Sequence, residues 1–260
     1  MRANERKTTS IWRIKHGHYR EKIICKSGSI FCVNEGERVA GLFYFKRKST
    51  VLCCFPHKNK AVAKALINFF SDKEIYALAC KSDYAAFLEK ILGFEEKDKK
   101  SFYLMQCKTS PSPSAVKPCA QDVVLCSIGD AEALMPLHIN FTKEEVLPSG
   151  KDLYVPSLLH DLENLLKRET VLALKKDGIF IGKVQTNAAS ENFIQIGGVY
   201  TLSEYRNKGV ATLLTNSLVL EIFSRKKVPL LFVNKKNYAA VSLYKKCGFT
   251  KCGSFCVIYF

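Results

Sequence analysis

Apolar and polar residues alternate along two stretches of this chain in matching ways. Residues 30–41, Ile-Phe-Cys-Val-Asn-Glu-Gly-Glu-Arg-Val-Ala-Gly, predict two strands joined by a turn, and residues 171–182 repeat that pattern at the same spacing. A further strand-like run ends Gly-Gly-Val-Tyr-Thr at residue 201. Helical periods take over elsewhere. Leu158, Leu159, Leu162, Leu165 and Leu166 fall at helical spacing within residues 156–169, where Pro156 suits a first helical position. A second helical run covers residues 131–146, with an interruption expected near Pro136. Residues 212–220 form an apolar helical stretch, and a helix is expected from Asn237 to about Gly248.

The order of elements suggests duplication. A stretch rich in proline and serine around residues 107–121 reads as a linker. On either side, His57-Lys-Asn-Lys-Ala-Val-Ala63 lines up with Tyr205-Arg-Asn-Lys-Gly-Val-Ala211, and Asp83-Tyr-Ala-Ala followed by Gly93-Phe94 parallels Asn237-Tyr-Ala-Ala followed by Gly248-Phe249. The expected division is a first lobe over 1–108, a linker over 109–122 and a second lobe over 123–260. The copies differ chemically: Ala61 stands opposite Gly209, Lys58 opposite Arg206 and Glu89 opposite Tyr244. These differences mark the first lobe as a degenerate copy.

Residues 205–211 are the main candidate for ligand chemistry. They stand between a strand ending Gly-Gly-Val-Tyr-Thr and a helix, so their backbone N–H groups and the helix dipole suit an anion such as a pyrophosphate. Gly209 permits close approach, and Arg206 and Lys208 add positive charge. The spacing Arg-x-x-Gly-x-Ala is neither that of a P-loop nor that of a dinucleotide-binding turn.

Charge and cysteine content bound the remaining possibilities. The net charge is +16, and residues 1–108 carry 22 Lys and Arg against 11 Asp and Glu. Such an excess favours anionic partners and leaves open an acidic macromolecule bound through the first lobe. The 11 cysteines contain no C-x-x-C clip, so no disulfide framework or metal site is expected. Without a long apolar run or a leader-like start, the chain reads as a soluble cytoplasmic protein with no membrane partner. Oligomeric state is not legible.

Three motifs in succession carry a family resemblance: Gly198-Val-Tyr-Thr201, Arg206-x-x-Gly209-x-Ala211, and Asn237-x-x-Ala240-x-x-x-Tyr244-x-x-x-Gly248-Phe249. Residues 123–260 thereby resemble the GNAT superfamily of acetyl-coenzyme A dependent N-acetyltransferases, nearest its FR47-like subgroup, and the first lobe is similar in outline. The resemblance implies an α/β (α+β) architecture of two GNAT-like lobes in tandem. Each is a mixed, mostly antiparallel sheet flanked by helices, and the C-terminal sheet is splayed between strands at about 193–200 and 229–234 to admit the cosubstrate acetyl-CoA.

That resemblance also implies roles. Val199 and Thr201 pair with the pantetheine arm, while the amides of Asn207, Lys208, Gly209, Val210, Ala211 and Thr212 hold the pyrophosphate. Asn237 bonds the arm or caps its own helix. Tyr244 stands at the general-acid position and protonates the departing thiolate. The amide of Tyr200 is the expected oxyanion donor. No base is evident, since the strand offers Gln195 where a carboxylate would serve. Glu144 and Glu145 are candidates to line the acceptor cleft, and a solvated helix face is the alternative for them. His138 and His160 read as structural or surface residues, and Cys247 as a weak candidate nucleophile. The expected activity is acyl-CoA-dependent transfer of acetyl to an amine. A coenzyme A sensor, or a protein that binds an acidic partner through its first lobe, is the alternative.

Overall fold

The computed structural model describes residues 19–25, 28–35, 38–46, 50–54, 68, 75–92, 98–111, 123–146 and 153–260. The proposed cradle counterpart at 57–63, the Gly93-Phe94 pair and residues 112–122 of the linker lie outside them. Two compact units divide the chain: Met1–Tyr103 with Gly253–Phe260, and Leu104–Cys252. The boundaries expected at 108 and 123 thus fall within the second unit, and residues 253–260 group with the first.

In the first unit, strands β1 (Tyr19–Cys25), β2 (Gly28–Glu35), β3 (Arg38–Lys46) and β4 (Thr50–Cys54) form an antiparallel meander. Strand β5 (Ala77–Lys81) joins β4 in parallel, and its other edge takes the end of the chain, with Phe255 to Tyr259 antiparallel to it. Helix α1 (Ser82–Leu92) contributes Ala85 and Leu88 to a core with Phe43, Val51, Leu78 and Ile258. The remaining strands at the ends of these stretches are β6 (Asp98–Cys107) and β12 (Phe249–Tyr259).

The second unit is a mixed sheet flanked by helices. Strands β7 (Val123–Leu125), β8 (Val171–Lys176), β9 (Ile179–Ala189) and β10 (Phe193–Thr201) are antiparallel neighbours, and β11 (Val228–Asn234) lies parallel to β10. The β8–β9 hairpin turns on Asp177 and Gly178, whose φ values of 49° and 82° match the left-handed conformation that tight hairpins require. Helix α2 (Ala131–Phe141) passes through Pro136 unbroken. Pro136 and Glu132 both lie on its exposed side, so the carbonyl left without a donor faces water. The interruption expected there falls instead at Thr142–Val146, a π-helical turn.

Helix α3 (Val155–Arg168) buries Leu158, Leu162 and Leu166, which are one face of the predicted leucine stripe. Leu134 and Leu137 of α2 meet α3 over Val171, Ala173 and Phe180 of the sheet. Helix α4 (Val210–Ser224) buries Leu214, Leu218 and Ile222. Helix α5 (Tyr238–Lys246) is capped by Asn237, whose Oδ1 accepts from the Ala240 amide at 3.0 Å. Among the described residues, no helix is long and apolar enough to cross a membrane.

Candidate active site

The sheet opens between β10 and β11, where the family resemblance implies. Pairing between β10 and β11 runs from Phe193/Val228 to Ile196/Leu231 and stops there. Residues 197–201 continue beside β9 alone, through a bulge between Gly197 and Tyr200. Register sets Tyr200 against Lys183 of β9, and strand alternation turns Val199 and Thr201 toward the edge that β11 leaves. The expected amide donor Tyr200 therefore has its backbone engaged on the β9 side.

A cleft of about 590 Å³ lies at this opening. Its walls include Val199, Tyr200 and Thr201 from β10, and Arg206, Asn207 and Gly209 from the turn that follows. Val210, Ala211 and Thr212 of α4, with Asn237 and Tyr244, complete the predicted set on its lining. Lys208 is the exception: it is not part of the lining, and its Nζ stands 5.4 Å from the Tyr205 ring centroid.

The cradle has the geometry an anion needs. Gly209 caps α4 with φ +82°, a conformation costing other residues roughly 1–2 kcal/mol, and a Cβ there would meet no atom within 4 Å. The first intrahelical bond runs from the Leu213 amide to the Gly209 carbonyl, so the amides of residues 210–212 begin the helix without acceptors in it. Thr201 Oγ1 is buried and has no hydrogen-bond partner among the described residues. Together, an open helix mouth, an orphan hydroxyl and an unpaired strand edge fit a long ligand that carries phosphates at one end and amides along its arm.

Glu144 and Glu145 both reach the cleft from the π-turn. Glu144 accepts from the Tyr200 phenol at 2.5 Å and from Arg206 at 2.7 Å, and Arg206 also donates to the Thr201 carbonyl at 3.1 Å. The bond from Tyr200 holds the Glu144 carboxyl below its ordinary range; burial opposes it, and the bond and charge of Arg206 add to the lowering. Burial, followed by Glu144, pushes the Tyr200 phenol up to about 12. Asn237 Nδ2 donates to Glu145 at 3.4 Å. Arg206 is thus committed to an ion pair 62 residues away in sequence, a partner that no local motif could reveal.

Tyr244 is buried with its ring 5.9 Å from Phe249, edge to face, and its hydroxyl makes no hydrogen bond among the described residues. Burial, then the charge of Glu145, raises its phenol above the ordinary tyrosine value, so it is protonated at neutral pH. Burial also lifts the Cys247 thiol to about 12, which leaves little thiolate to act as a nucleophile. His138 is driven down to about 4 by burial and by Lys183, and its Nδ1 is buried without a partner among the described residues.

Lys183 itself is absent from the sequence expectations. It is fully buried, donates to Gln185 Oε1 at 2.8 Å and to the Gly198 carbonyl at 3.3 Å, and lies 4.7 Å from the Phe141 ring centroid. Gln185 in turn donates to Asn187 Oδ1 at 3.0 Å. These three residues alternate along one face of β9 opposite the glycine pair of β10. A Cβ on Gly197 would come within 2.0 Å of Asn187, and one on Gly198 within 2.4 Å of Gln185. Two adjacent glycines facing alternate polar residues were the available signal.

Known proteins place this geometry. Residues 135–249 match the model of the acetyltransferase (GNAT) family. A GNAT-family acetyltransferase from Colwellia psychrerythraea superposes with TM-score 0.62 at 11% identity, over 90% of this chain and 85% of its own. A Drosophila protein gives 0.64 at 12% identity, over 89% and 79%. A tandem GNAT protein from the clavulanic acid biosynthesis pathway gives 0.58 at 12%, over 88% and 81%. No curated protein matches the sequence. The chain carries the GNAT acetyltransferase fold.

Proposed function

We propose that this protein is an N-acetyltransferase that uses acetyl-CoA and works through the cleft between β10 and α5. The observation that carries the reading is the pairing of a splayed strand edge with an open helix mouth in one cleft. Acetyl-CoA, when bound, supplies a thioester whose acyl carbon an amine can attack with release of a thiol. Val199 and Thr201 hold its arm at the strand edge, and the amides at the start of α4 hold its phosphates. Asn237 fixes the start of α5 and so the placement of Tyr244.

Tyr244 keeps its proton at Oη and donates a hydrogen bond to the departing sulfur. A phenol raised by burial is a weaker acid than a thiol, whose ordinary pKa is about 8.5. The proton that ends on sulfur therefore derives from the amine, which loses one in each turnover, and Tyr244 stabilises the sulfur until it arrives. Glu144, ionised and within the cleft, is the candidate to attract an ammonium and accept its proton once Arg206 turns elsewhere. The similarity of the two halves supports a tandem arrangement with a degenerate first lobe, and the Ile-Gly-Gly-Val-Tyr-Thr stretch supports the FR47-like subgroup for the second. The positive excess on residues 1–108 suits an acidic macromolecule as partner.

A panel of small amines, amino acids, aminoglycosides, peptide N-termini and lysine peptides tests the activity. Incubated with acetyl-CoA, at least one is expected to release free thiol well above the acceptor-free rate. Background release with every amine, from protein that still binds acetyl-CoA, would reject transfer.

A further inference from the structure

We propose that Lys183 is the positioning residue for the acyl-binding amide of this cleft: by holding the Gly198 carbonyl, it aims the Val199 N–H into the opening. The inference rests on the acetyltransferase reading. Its geometry begins with the peptide unit. Gly198 C=O and Val199 N–H belong to the same peptide group, and in a trans peptide they point in opposite directions. Lys183 Nζ donates to that carbonyl at 3.3 Å from a fully buried position on the α2 side of the sheet. The Val199 amide is therefore directed away from Lys183, and Val199 lines the cleft whereas Lys183 does not.

The surroundings are built for this hold. Gly198 has φ +58°, so its peptide is set by external contacts more than by a side chain of its own. Gln185 anchors the Lys183 ammonium at 2.8 Å and is itself anchored by Asn187, giving a polar ladder from the exposed end of β9 to its buried middle. A buried lysine is costly, and among the described residues nothing carboxylic pairs with this one: its contacts are Gln185, the Gly198 carbonyl and the Phe141 ring. A structural lysine could be replaced by methionine with a gain in stability, whereas a lysine that aims a catalytic amide could not be replaced without loss of rate. Tyr200, whose backbone pairs across β9, leaves the adjacent Val199 amide as the donor for the acyl oxygen.

The test compares the full-length wild type with Lys183→Met and Lys183→Arg. Hydrogen exchange of the Val199 amide, read by NMR in the ligand-free protein, is expected to change at least about tenfold in Lys183→Met and to return part of the way in Lys183→Arg. In steady-state assays, kcat is expected to fall on the order of 10²-fold while coenzyme A affinity by calorimetry stays within about twofold. Unchanged Val199 exchange, or a loss of coenzyme A affinity as large as the loss of kcat, overturns the proposal. Should Lys183→Met not fold, Lys183→Gln, which retains a shorter donor, is read by the same two criteria. If the wild type transfers no acetyl group to any amine, the enzymatic reading falls, and the exchange measurement still decides whether Lys183 sets the Val199 amide.

Discussion

Replacing Tyr244 with phenylalanine is expected to lower kcat by roughly 10²-fold and to change the Kd for acetyl-CoA by less than about twofold. The substitution removes one oxygen. The ring that packs edge to face on Phe249 is retained, and the hydroxyl gives up no hydrogen bond among the described residues, so the cleft keeps its shape. What disappears is a donor facing the site where a thiolate leaves. Because burial, then Glu145, raises this phenol, the wild-type rate should show no loss between about pH 7 and 9 through ionisation of Tyr244. Single-turnover kinetics together with calorimetry make the comparison, since slow product release can hide a chemical step. An unchanged single-turnover rate would remove Tyr244 from the mechanism.

Lys183→Met is expected to be more stable than the wild type at about pH 6.5, with that advantage shrinking by about 3 kcal/mol as pH rises to about 9.5. Burial lowers the Lys183 ammonium from 10.5 to about 7 in the folded protein. Between those values the unfolded chain binds the extra proton, so wild-type stability grows with pH; below about 7 both states are charged and the full cost of burying the charge is felt. Methionine carries no such dependence. The titratable groups near Lys183 act little in this window, because His138 is depressed to about 4, with Asp161 opposing that fall, and the Cys126 thiol is raised to about 12. Urea denaturation at the two pH values measures the difference. Parallel curves for the two proteins would mean that Lys183 titrates as an ordinary surface lysine.

The features that were legible in the sequence are those fixed within a few residues. The β8–β9 hairpin follows from Asp177-Gly178 between alternating strands, α3 from its leucine stripe, and the α4 mouth from Gly209 before an apolar helix. The helix continues past Pro136 because Pro136 and Glu132 lie on its exposed side, where the carbonyl left without a donor reaches water and so loses less. What was hidden is non-local. Arg206 looked like free positive charge for a phosphate, yet it meets Glu144 across the cleft. Lys183 carries no local signal, since the packing of α2 over that face of the sheet is what buries it. Tyr200 was expected through its amide, whereas its phenol makes the notable contact. The proposed counterpart of the cradle at 57–63 falls outside the described residues, so the comparison of the two halves rests on sequence there.

A calorimetric titration of acetyl-CoA into the wild type and Gly209→Glu tests the central claim most directly. The wild type should bind at micromolar concentration. The substitution would force a side chain onto a backbone at φ +82° and set a carboxylate at the helix mouth where the phosphates belong, so affinity should fall at least about 100-fold. No binding by the wild type at millimolar acetyl-CoA, or equal affinity in the two proteins, would contradict the assignment of this cleft.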